Sequence, residues 1–293
     1  MRPRLDPAWL DGQYNNRLRV ADHASVLSSW AEASRLVLAR STGQLDVRYG
    51  DGASETLDIF PPYPTPAGAA TAAAAPVMVF IHGGYWRALD KADFAFVAPA
   101  FNAAGALVVV PNYALCPAVS VEDISLQMAR ALLWVWRNAA RLGGDPARIM
   151  VAGHSAGGHL AAMMLSCRWK ELDTHAPAQL LTGALSISGL FDLEPIRHTP
   201  FLQPDLRLTP SAVARLSPAF FPRPKAGKLY VTVGLEESEE FLRQSRLMRE
   251  VWGPTAVPVC ETVPRANHFS VLSQLVDPAS RMHTLALRLL GLD

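Results

Sequence analysis

Apolar strand candidates alternate with helical segments beyond residue 76, and this alternation restricts the fold more than any other feature of the chain. The apolar runs read VMVFIHGG, ALVVVPNY, RIMVAG, LLTGALSIS, KLYVTVG and VPVCETV. Segments of helical character separate several of them, for example 121–141 and 239–252. Continuous apolar strands joined by helices are typical of a mostly parallel sheet covered on both faces. The sequence therefore predicts an α/β fold whose reactive groups lie at the carboxyl ends of strands.

Composition favours one large domain spanning residues 1–293. Half of the residues are hydrophobic, 18% are charged, and the formal net charge is +1. This balance gives no basic surface for nucleic acid, and no charge-free apolar run is long enough to cross a membrane. The three cysteines form no CxxC pair, and no histidine spacing indicates a metal site. We expect a cytoplasmic protein with no cofactor, no metal, and no nucleic-acid or membrane partner.

Three segments fall outside the regular alternation. Residues 1–40 are expected to form an N-terminal helical, cap-like segment, with a helix from Asp22 to about Arg40 that lies across the main body. Residues 61–76 are rich in Ala and Pro and predict a surface loop. The Pro-rich stretch 199–224 is expected to be irregular.

The segment GHSAGG places Ser155 between a predicted strand and a predicted helix. A serine hydroxyl is a poor nucleophile until a base removes its proton, and it must be exposed to reach a carbonyl carbon. A tight strand-to-helix turn exposes it, and Gly153 and Gly157 allow neighbouring backbone to pass close by. An ordinary glycine-rich turn is the alternative, but the strand before and the helix after favour a nucleophile.

The segment FIHGGYW is expected to supply backbone N–H groups that stabilise the oxyanion formed when a serine attacks a carbonyl carbon. A strand is expected to end at His82, and Gly83 and Gly84 then allow the backbone to turn its N–H groups toward the site. The N–H of Ala156, at the start of the helix after Ser155, is the other expected donor. Two separate motifs in this order predict acyl-transfer chemistry.

The expected base is a histidine after the last strand. His268 lies in a loop before a helix, whereas His283 lies within the amphipathic final helix, where packing is its more natural role. His154 and His159 flank Ser155 and are expected to pack around the turn. His268 is therefore the predicted base.

The acid that orients this histidine is expected after the strand KLYVTVG. Glu239 and Glu240 begin a helix, where solvated carboxylates suit the positive helix end. Glu236 and Glu237 remain, and the residues alone do not separate them. Asp192, after the preceding strand, is a further candidate.

With these motifs in view, the chain resembles the α/β-hydrolase fold, and most closely the kynurenine formamidase branch near the hormone-sensitive-lipase-like esterases. The segments that carry the resemblance are YNNR (14–17), HGGYW (82–86), GHSAGGHL (153–160), GLFDLEPI (189–196), SEEFLRQS (238–245) and NHFSVL (267–272). The resemblance implies that Glu237 is the acid, although formamidases typically carry aspartate there. It also implies that the N-terminal segment caps the pocket.

The resemblance further points to aromatic and apolar residues for binding an aromatic substrate. These are Tyr85, Trp86, Tyr113, Leu190 and Phe191, for which core packing is an equal alternative.

The predicted function is hydrolysis of a small-molecule ester or an aryl formamide by the triad Ser155, His268 and Glu237. A carboxylesterase for short acyl chains is the alternative, and a non-catalytic binding protein of the same fold is a weaker one because all triad candidates are present. A dinucleotide-binding protein would need GxGxxG after the first strand of the alternation, which the sequence lacks. The oligomeric state is open, with a homodimer among the options.

Overall fold

One eight-stranded sheet organises the residues that this computed structural model describes, which are 4–64 and 74–293. Its strands are β1 Gln44–Arg48, β2 Thr56–Phe60, β3 Ala75–Ile81, β4 Leu107–Pro111, β5 Gly144–His154, β6 Gly183–Ile187, β7 Lys228–Gly234 and β8 Val259–Val263. They lie in the order β1-β2-β4-β3-β5-β6-β7-β8. Strands β3 to β8 are parallel, and β2 joins β4 and β1 in antiparallel pairs. The predicted α/β fold with a mostly parallel sheet is confirmed.

Helices cover both faces of this sheet. The α-helices are α1 Pro7–Tyr14, α2 Asn16–Arg19, α3 His23–Arg40, α4 Ala98–Ala103, α5 Val121–Asn138, α6 Ala156–Leu165, α7 Trp169–Leu172, α8 Glu194–Arg197, α9 Gln203–Leu206, α10 Pro210–Leu216, α11 Glu239–Ala256, α12 Ser273–Val276 and α13 Arg281–Leu290. Short 3₁₀ turns span Lys91–Asp93, Ala95–Val97, Ala140–Leu142, Pro218–Phe220 and Ser270–Leu272. No helix within these described ranges has the length and hydropathy needed to cross a membrane.

Alternating side chains of the central strand β3 enter the cores on opposite sides of the sheet. Val77 and Val79 belong to one apolar cluster, whereas Met78 and Phe80 belong to the other. This follows from the two-residue period of a strand. Since all of β3 is buried, it reads in the sequence as an unbroken apolar run. The two cores hold the carboxyl ends of β3 and β5 side by side.

The N-terminal helices α1 to α3 lie over the sheet near those carboxyl ends. Tyr14 at the end of α1 is fully buried, and Trp30 of α3 packs against Phe94, Phe96 and Phe269. Asp22 occupies the N-cap position of α3, but its side chain makes no capping hydrogen bond. Most of α3 is otherwise exposed, so a few anchors hold this segment in place.

Two expected loops differ from the structure. Stretch 199–224 contains α9, α10 and a 3₁₀ turn instead of irregular chain, because Pro204, Pro210 and Pro218 stand at the first turns of helices, where proline is tolerated. The predicted loop 61–76 ends earlier, since β3 begins at Ala75. Residues 65–73 of that loop lie outside the described residues. The three cysteines are free thiols, and only Cys116 is fully buried.

Candidate active site

Ser155 occupies a strained turn between β5 and α6. Its φ of 57° and ψ of −117° are unfavourable for a residue with a side chain, and such strain must be held by the surroundings. Two glycines make the turn sterically allowed. A Cβ on Gly153 would lie 2.2 Å from the carbonyl oxygen of Gly157, and a Cβ on Gly157 would lie 2.0 Å from that of Ile81. The close approach of α6 to the end of β5 therefore requires glycine at position 153, and the packing of β3 against α6 requires glycine at position 157.

His268 links Ser155 to a carboxylate. Its Nε2 lies 3.1 Å from Ser155 Oγ, and its Nδ1 lies 2.6 Å from Glu237 Oε2. Because an ionised carboxylate only accepts hydrogen bonds, Nδ1–H donates to Glu237, which leaves Nε2 free to accept from the serine hydroxyl. All three side chains are at least nine-tenths buried. This arrangement prepares the imidazole to remove a proton from Ser155.

Glu237 is held by donors on its other oxygen. Ser188 Oγ donates to Oε1 at 2.5 Å, and the Gly234 N–H donates to the same oxygen at 2.7 Å. Nothing in the sequence pointed to Ser188, which has a φ of 53° and follows β6. These donors fix the position of the Glu237 carboxylate beside the imidazole.

The other candidate acids lie apart from His268. Glu236 is exposed. Asp192 is buried and pairs with Arg243, with 3.3 Å between Oδ2 and Nη1, and burial raises the pKa of this carboxyl. Of the acids left open by the sequence, the structure brings Glu237 to the imidazole.

The turn after β3 lies directly against the nucleophile. A Cβ on Gly83 would lie 2.8 Å from the carbonyl oxygen of His154 and 3.2 Å from Cβ of Ser155. Gly84 has a φ of +108°, and a Cβ there would lie 2.0 Å from the Ala88 carbonyl oxygen. On the opposite side, Ala156 opens α6, so its N–H has no acceptor within the helix. The three predicted oxyanion residues thus surround the turn that carries Ser155.

His82 stabilises the turn after β3, a role that the sequence did not reveal. Its ring stacks on Tyr113 with centroids 4.2 Å apart, and its Nδ1 lies 2.8 Å from the Gly83 carbonyl oxygen. The Tyr113 hydroxyl donates to the His82 carbonyl oxygen at 2.9 Å. Burial lowers the pKa of His82. Strand β3 itself ends at Ile81, one residue before the predicted end.

A cavity of about 400 Å³ opens above Ser155 and His268. Its walls come from the N-terminal segment, the turn after β3, α9 with the loop before it, and the loop carrying His268. The lining residues are Asn15, Asn16, Arg17, Leu27, Trp30, Gly84, Tyr85, Arg87, Ala88, Leu89, His154, Ser155, Phe201, Asp205, His268 and Phe269. The volume suits a small organic molecule.

Of the five residues predicted to bind an aromatic substrate, only Tyr85 lines this cavity. Trp86 is fully buried on the opposite side of the turn, edge-on to His159 with ring centroids 5.0 Å apart. Tyr113 lies beneath the turn, and Leu190 and Phe191 are fully buried in the core. These four residues pack in the core, which is the alternative that the sequence left open for each of them. The aromatic residues that do line the cavity with Tyr85 are Trp30, Phe201 and Phe269.

Two other buried histidines near the site, His154 and His159, are neutral packing residues. His154 Nε2 lies 2.8 Å from the His268 carbonyl oxygen, and burial, reinforced by the charge on His268, holds the pKa of His154 well below 6.5. Burial lowers the pKa of His159 to about 4, and its Nε2 lies 2.7 Å from the Leu216 carbonyl oxygen. His283 is buried within α13.

Glu240 is buried and hydrogen-bonded, which corrects the expectation of a solvated helix start for this residue. It receives a hydrogen bond from the Tyr14 hydroxyl at 2.7 Å and two from the Arg243 guanidinium at 2.8 and 2.9 Å. Gln244 Nε2 lies 3.1 Å from the same tyrosine hydroxyl. This cluster fastens α1 to α11, the helix that begins two residues after Glu237.

Comparison with known proteins decides the family. A family model described as the alpha/beta hydrolase fold matches residues 78–240. The kynurenine formamidase of Danio rerio is 31% identical over 300 residues, covering 99% of this chain and 97% of the relative. The chain belongs to the α/β-hydrolase family. Within this family it is an enzyme, a serine hydrolase.

Other members of the family support this assignment. The carboxylesterase NlhH of Mycobacterium tuberculosis is 46% identical over 91 residues, covering 30% of this hydrolase and 28% of the relative. A protein from Silicibacter sp. with a known crystal structure is 30% identical in sequence to this hydrolase. The two structures superimpose with a TM-score of 0.80, and the match covers 94% of this hydrolase and 97% of that chain. The resemblance noted in the sequence is thus confirmed at the level of the family and of its formamidase and esterase relatives.

Proposed function

We propose that this hydrolase cleaves small aryl formamides through an acyl-enzyme on Ser155. The observation that carries the proposal is the continuous hydrogen-bonded series from Ser155 Oγ, which lines the cavity, through the His268 ring to the buried Glu237. A nucleophile, a base and an orienting acid in this order are the parts that acyl transfer requires.

The reaction begins when His268 Nε2 takes the Ser155 proton as Oγ attacks the substrate carbonyl carbon. The negative charge that develops on the carbonyl oxygen is met by N–H groups of the turn at Gly83 and Gly84 and by that of Ala156. Glu237 stabilises the resulting imidazolium. The imidazolium then protonates the leaving amine or alcohol, and the C–N or C–O bond breaks to leave the acyl-enzyme.

Water completes the turnover. His268 removes a proton from water, which attacks the acyl carbon through a second oxyanion held by the same donors. The Ser155 oxygen leaves and regains its proton from the imidazolium. For a formamide the released acid is formate.

Two observations favour an aryl formamide. The full-length relatives of Danio rerio and Salmo salar are kynurenine formamidases, 31% and 30% identical to this chain. The cavity is lined by four aromatic rings, which offer apolar contacts to an aromatic leaving group. A formyl group is the smallest acyl group and needs little room beside Ser155.

A short-chain carboxylesterase is the second candidate. It is favoured by the 46% identity to the Mycobacterium tuberculosis carboxylesterase over 91 residues. The same residues would act in the same steps, with an alcohol as the leaving group. The two candidates differ in the size of the acyl group that the site accepts.

Steady-state kinetics on N-formylkynurenine, p-nitrophenyl acetate and p-nitrophenyl butyrate separates them. We expect the highest kcat/KM for the formamide and a fall from acetate to butyrate. If the formamide is untouched while the butyrate turns over well, the carboxylesterase is the correct function. The Ser155→Ala variant is the control, and turnover that survives in it contradicts both candidates.

A further inference from the structure

The four residues Tyr14 to Arg17 are here called the YNNR segment, and the last three of them line the cavity. Three of them have structural roles. The Tyr14 hydroxyl is hydrogen-bonded to Glu240, and Asn15 Oδ1 caps the N–H of Leu18 at 3.3 Å. Asn16 is buried, and its Nδ2 lies 3.4 Å from the Tyr85 hydroxyl. The Tyr85 hydroxyl in turn donates to the Tyr14 carbonyl oxygen at 2.6 Å. The backbone of this segment is thus fixed against the turn that carries the oxyanion donors.

Arg17 is the member of the segment that these contacts do not explain. Its side chain is exposed and borders the same cavity as Ser155 and His268. In residues 4–64 and 74–293 no carboxylate pairs with it, and the residues outside these ranges contain no Asp or Glu. Arg17 therefore presents an uncompensated positive charge on a rigid support at the substrate cavity.

The other charged side chains of the cavity wall compensate each other. Arg87 Nη1 donates to Asp205 Oδ2 and, at 3.0 Å, to the Phe201 carbonyl oxygen. The guanidinium also lies 5.3 Å from the centroid of the Phe201 ring. Two arginines and one aspartate leave a net charge of +1, which belongs to Arg17. Such a wall attracts an anionic group and repels a cationic one.

We propose that Arg17 determines specificity by binding a carboxylate on the leaving group of the substrate. The proposal rests on the proposed function, since a formyl group has no atom that carries a charge, and the anion must belong to the other part of the molecule. The guanidinium offers paired N–H donors that match the two oxygens of a carboxylate. The substrate class is then an aryl formamide or small aryl ester with an acidic group on its aryl portion.

Arg19 provides a matched control. It lies two residues further along the same short helix, is also exposed, and donates to the Gly12 carbonyl oxygen at 3.1 Å. It borders a neighbouring cavity that Glu236, Glu237 and His268 also line, and it does not line the cavity above Ser155. Loss of its charge changes the overall charge by the same amount as loss of Arg17.

The test compares phenyl acetate with 3-acetoxybenzoate, two acetyl esters whose leaving groups differ by one carboxylate. The measured quantity is the ratio of their kcat/KM values in the full-length protein. We expect Arg17→Gln to lower the preference for the carboxylate ester about five- to tenfold, through KM and not kcat, since an exposed charge–charge hydrogen bond contributes modestly to binding. Arg17→Lys should restore part of it. Arg19→Gln should leave the ratio unchanged, and added salt should reduce the wild-type preference.

An unchanged ratio in Arg17→Gln overturns the proposal, as does an equal loss in Arg17→Gln and Arg19→Gln. Both probes are esters, so the ratio is measurable whether or not the enzyme cleaves formamides. If the enzyme fails to cleave N-formylkynurenine but the ratio still depends on Arg17, formamide hydrolysis is rejected and the carboxylate site at Arg17 is supported. Cleavage of N-formylkynurenine with a ratio independent of Arg17 would support formamide hydrolysis and reject the carboxylate site at Arg17.

Discussion

At the scale of single residues, the sequence indicated Ser155 and His268 because their positions relative to strands restrict the alternatives. The serine lies between two glycines after a strand, and the histidine lies in the loop after the last strand. The sequence did not single out the acid in the same way, because Glu236 and Glu237 are adjacent and chemically identical. Their environments separate them: one faces solvent, while the other receives hydrogen bonds from Ser188 and Gly234.

Replacement of Glu237 by Gln tests the orienting role of this carboxylate. We expect kcat to fall by about 10³- to 10⁴-fold, because the neutral amide favours the wrong imidazole tautomer and does not stabilise the imidazolium. Glu236→Gln is the matched control and should stay within about twofold of wild type, since Glu236 is exposed. Steady-state kinetics on p-nitrophenyl acetate measures both variants. Equal losses in the two would contradict the assignment of Glu237.

Side-chain direction was the main property of residues that the sequence did not provide. Trp86 and Tyr85 are neighbours in an irregular turn, yet one enters the core and the other lines the cavity. No periodic pattern applies in such a turn, where Tyr85 and Trp86 both have positive φ angles. Glu240 was misjudged for a related reason. Its partner Tyr14 lies 226 residues away in the chain, and no local pattern reports that contact.

At the scale of elements, the strands and long helices were predictable because their burial gives a regular pattern. The sequence does not predict the short helices α9 and α10, because their many prolines are typical of irregular chain. The helical signal was nevertheless present. Thr209 is an N-cap whose hydroxyl accepts from the Ala212 N–H at 3.1 Å, and Pro210 takes the first helical position.

The close packing of β3 against the Ser155 turn predicts a severe effect of a single methyl group. In Gly157→Ala the new Cβ would lie 2.0 Å from the Ile81 carbonyl oxygen, and backbone must move to accommodate it. We expect the free energy of unfolding to fall by about 3 kcal/mol. Urea denaturation followed by tryptophan fluorescence measures this change.

Gly12→Ala is the control for the same substitution in open space. Gly12 lies within α1, and a Cβ there meets no atom within 4 Å. A neutral or slightly stabilising effect of about 0.5 to 1 kcal/mol is expected, because alanine suits a helix interior better than glycine. If both variants have the stability of wild type, the close contact between position 157 and the Ile81 carbonyl oxygen is contradicted.

At the scale of the whole molecule, the sequence predicted the parallel sheet but not its order or its antiparallel edge. Strand β2 forms this edge through a non-local pairing with β4, and β1 then pairs with β2. The cavity also depends on long-range contacts, since residues 15–17 line it together with Tyr85, Asp205 of α9 and His268. Composition and periodicity describe neighbours in the chain, and these contacts depend on neighbours in space.

Buried neutral histidines predict that global stability decreases in mild acid. The pKa of His159 is about 4 in the folded protein, against 6.5 for an ordinary histidine, and the pKa values of His82 and His154 are lowered as well. As the pH falls from about 6.5 toward 4, the unfolded chain binds protons that the folded chain excludes. The free energy of unfolding must therefore fall, and His159 alone contributes about 2 kcal/mol of this loss at pH 5.

The variant His159→Gln isolates this contribution, since Gln retains an N–H donor for the Leu216 carbonyl oxygen. Urea denaturation at pH 7 and pH 5 should show a smaller loss of stability in the variant than in wild type. Equal losses in both proteins would show that His159 is not a neutral buried group.

Labelling with a fluorophosphonate probe, followed by mass spectrometry of the intact protein and its peptides, tests the central claim that Ser155 is an activated nucleophile. We expect one label per folded chain, on the peptide that carries Ser155, no label in Ser155→Ala, and full labelling of a control with an exposed α3 serine replaced, Ser28→Ala. Folded wild-type protein that stays unlabelled, or that carries its label on another residue, would contradict the account.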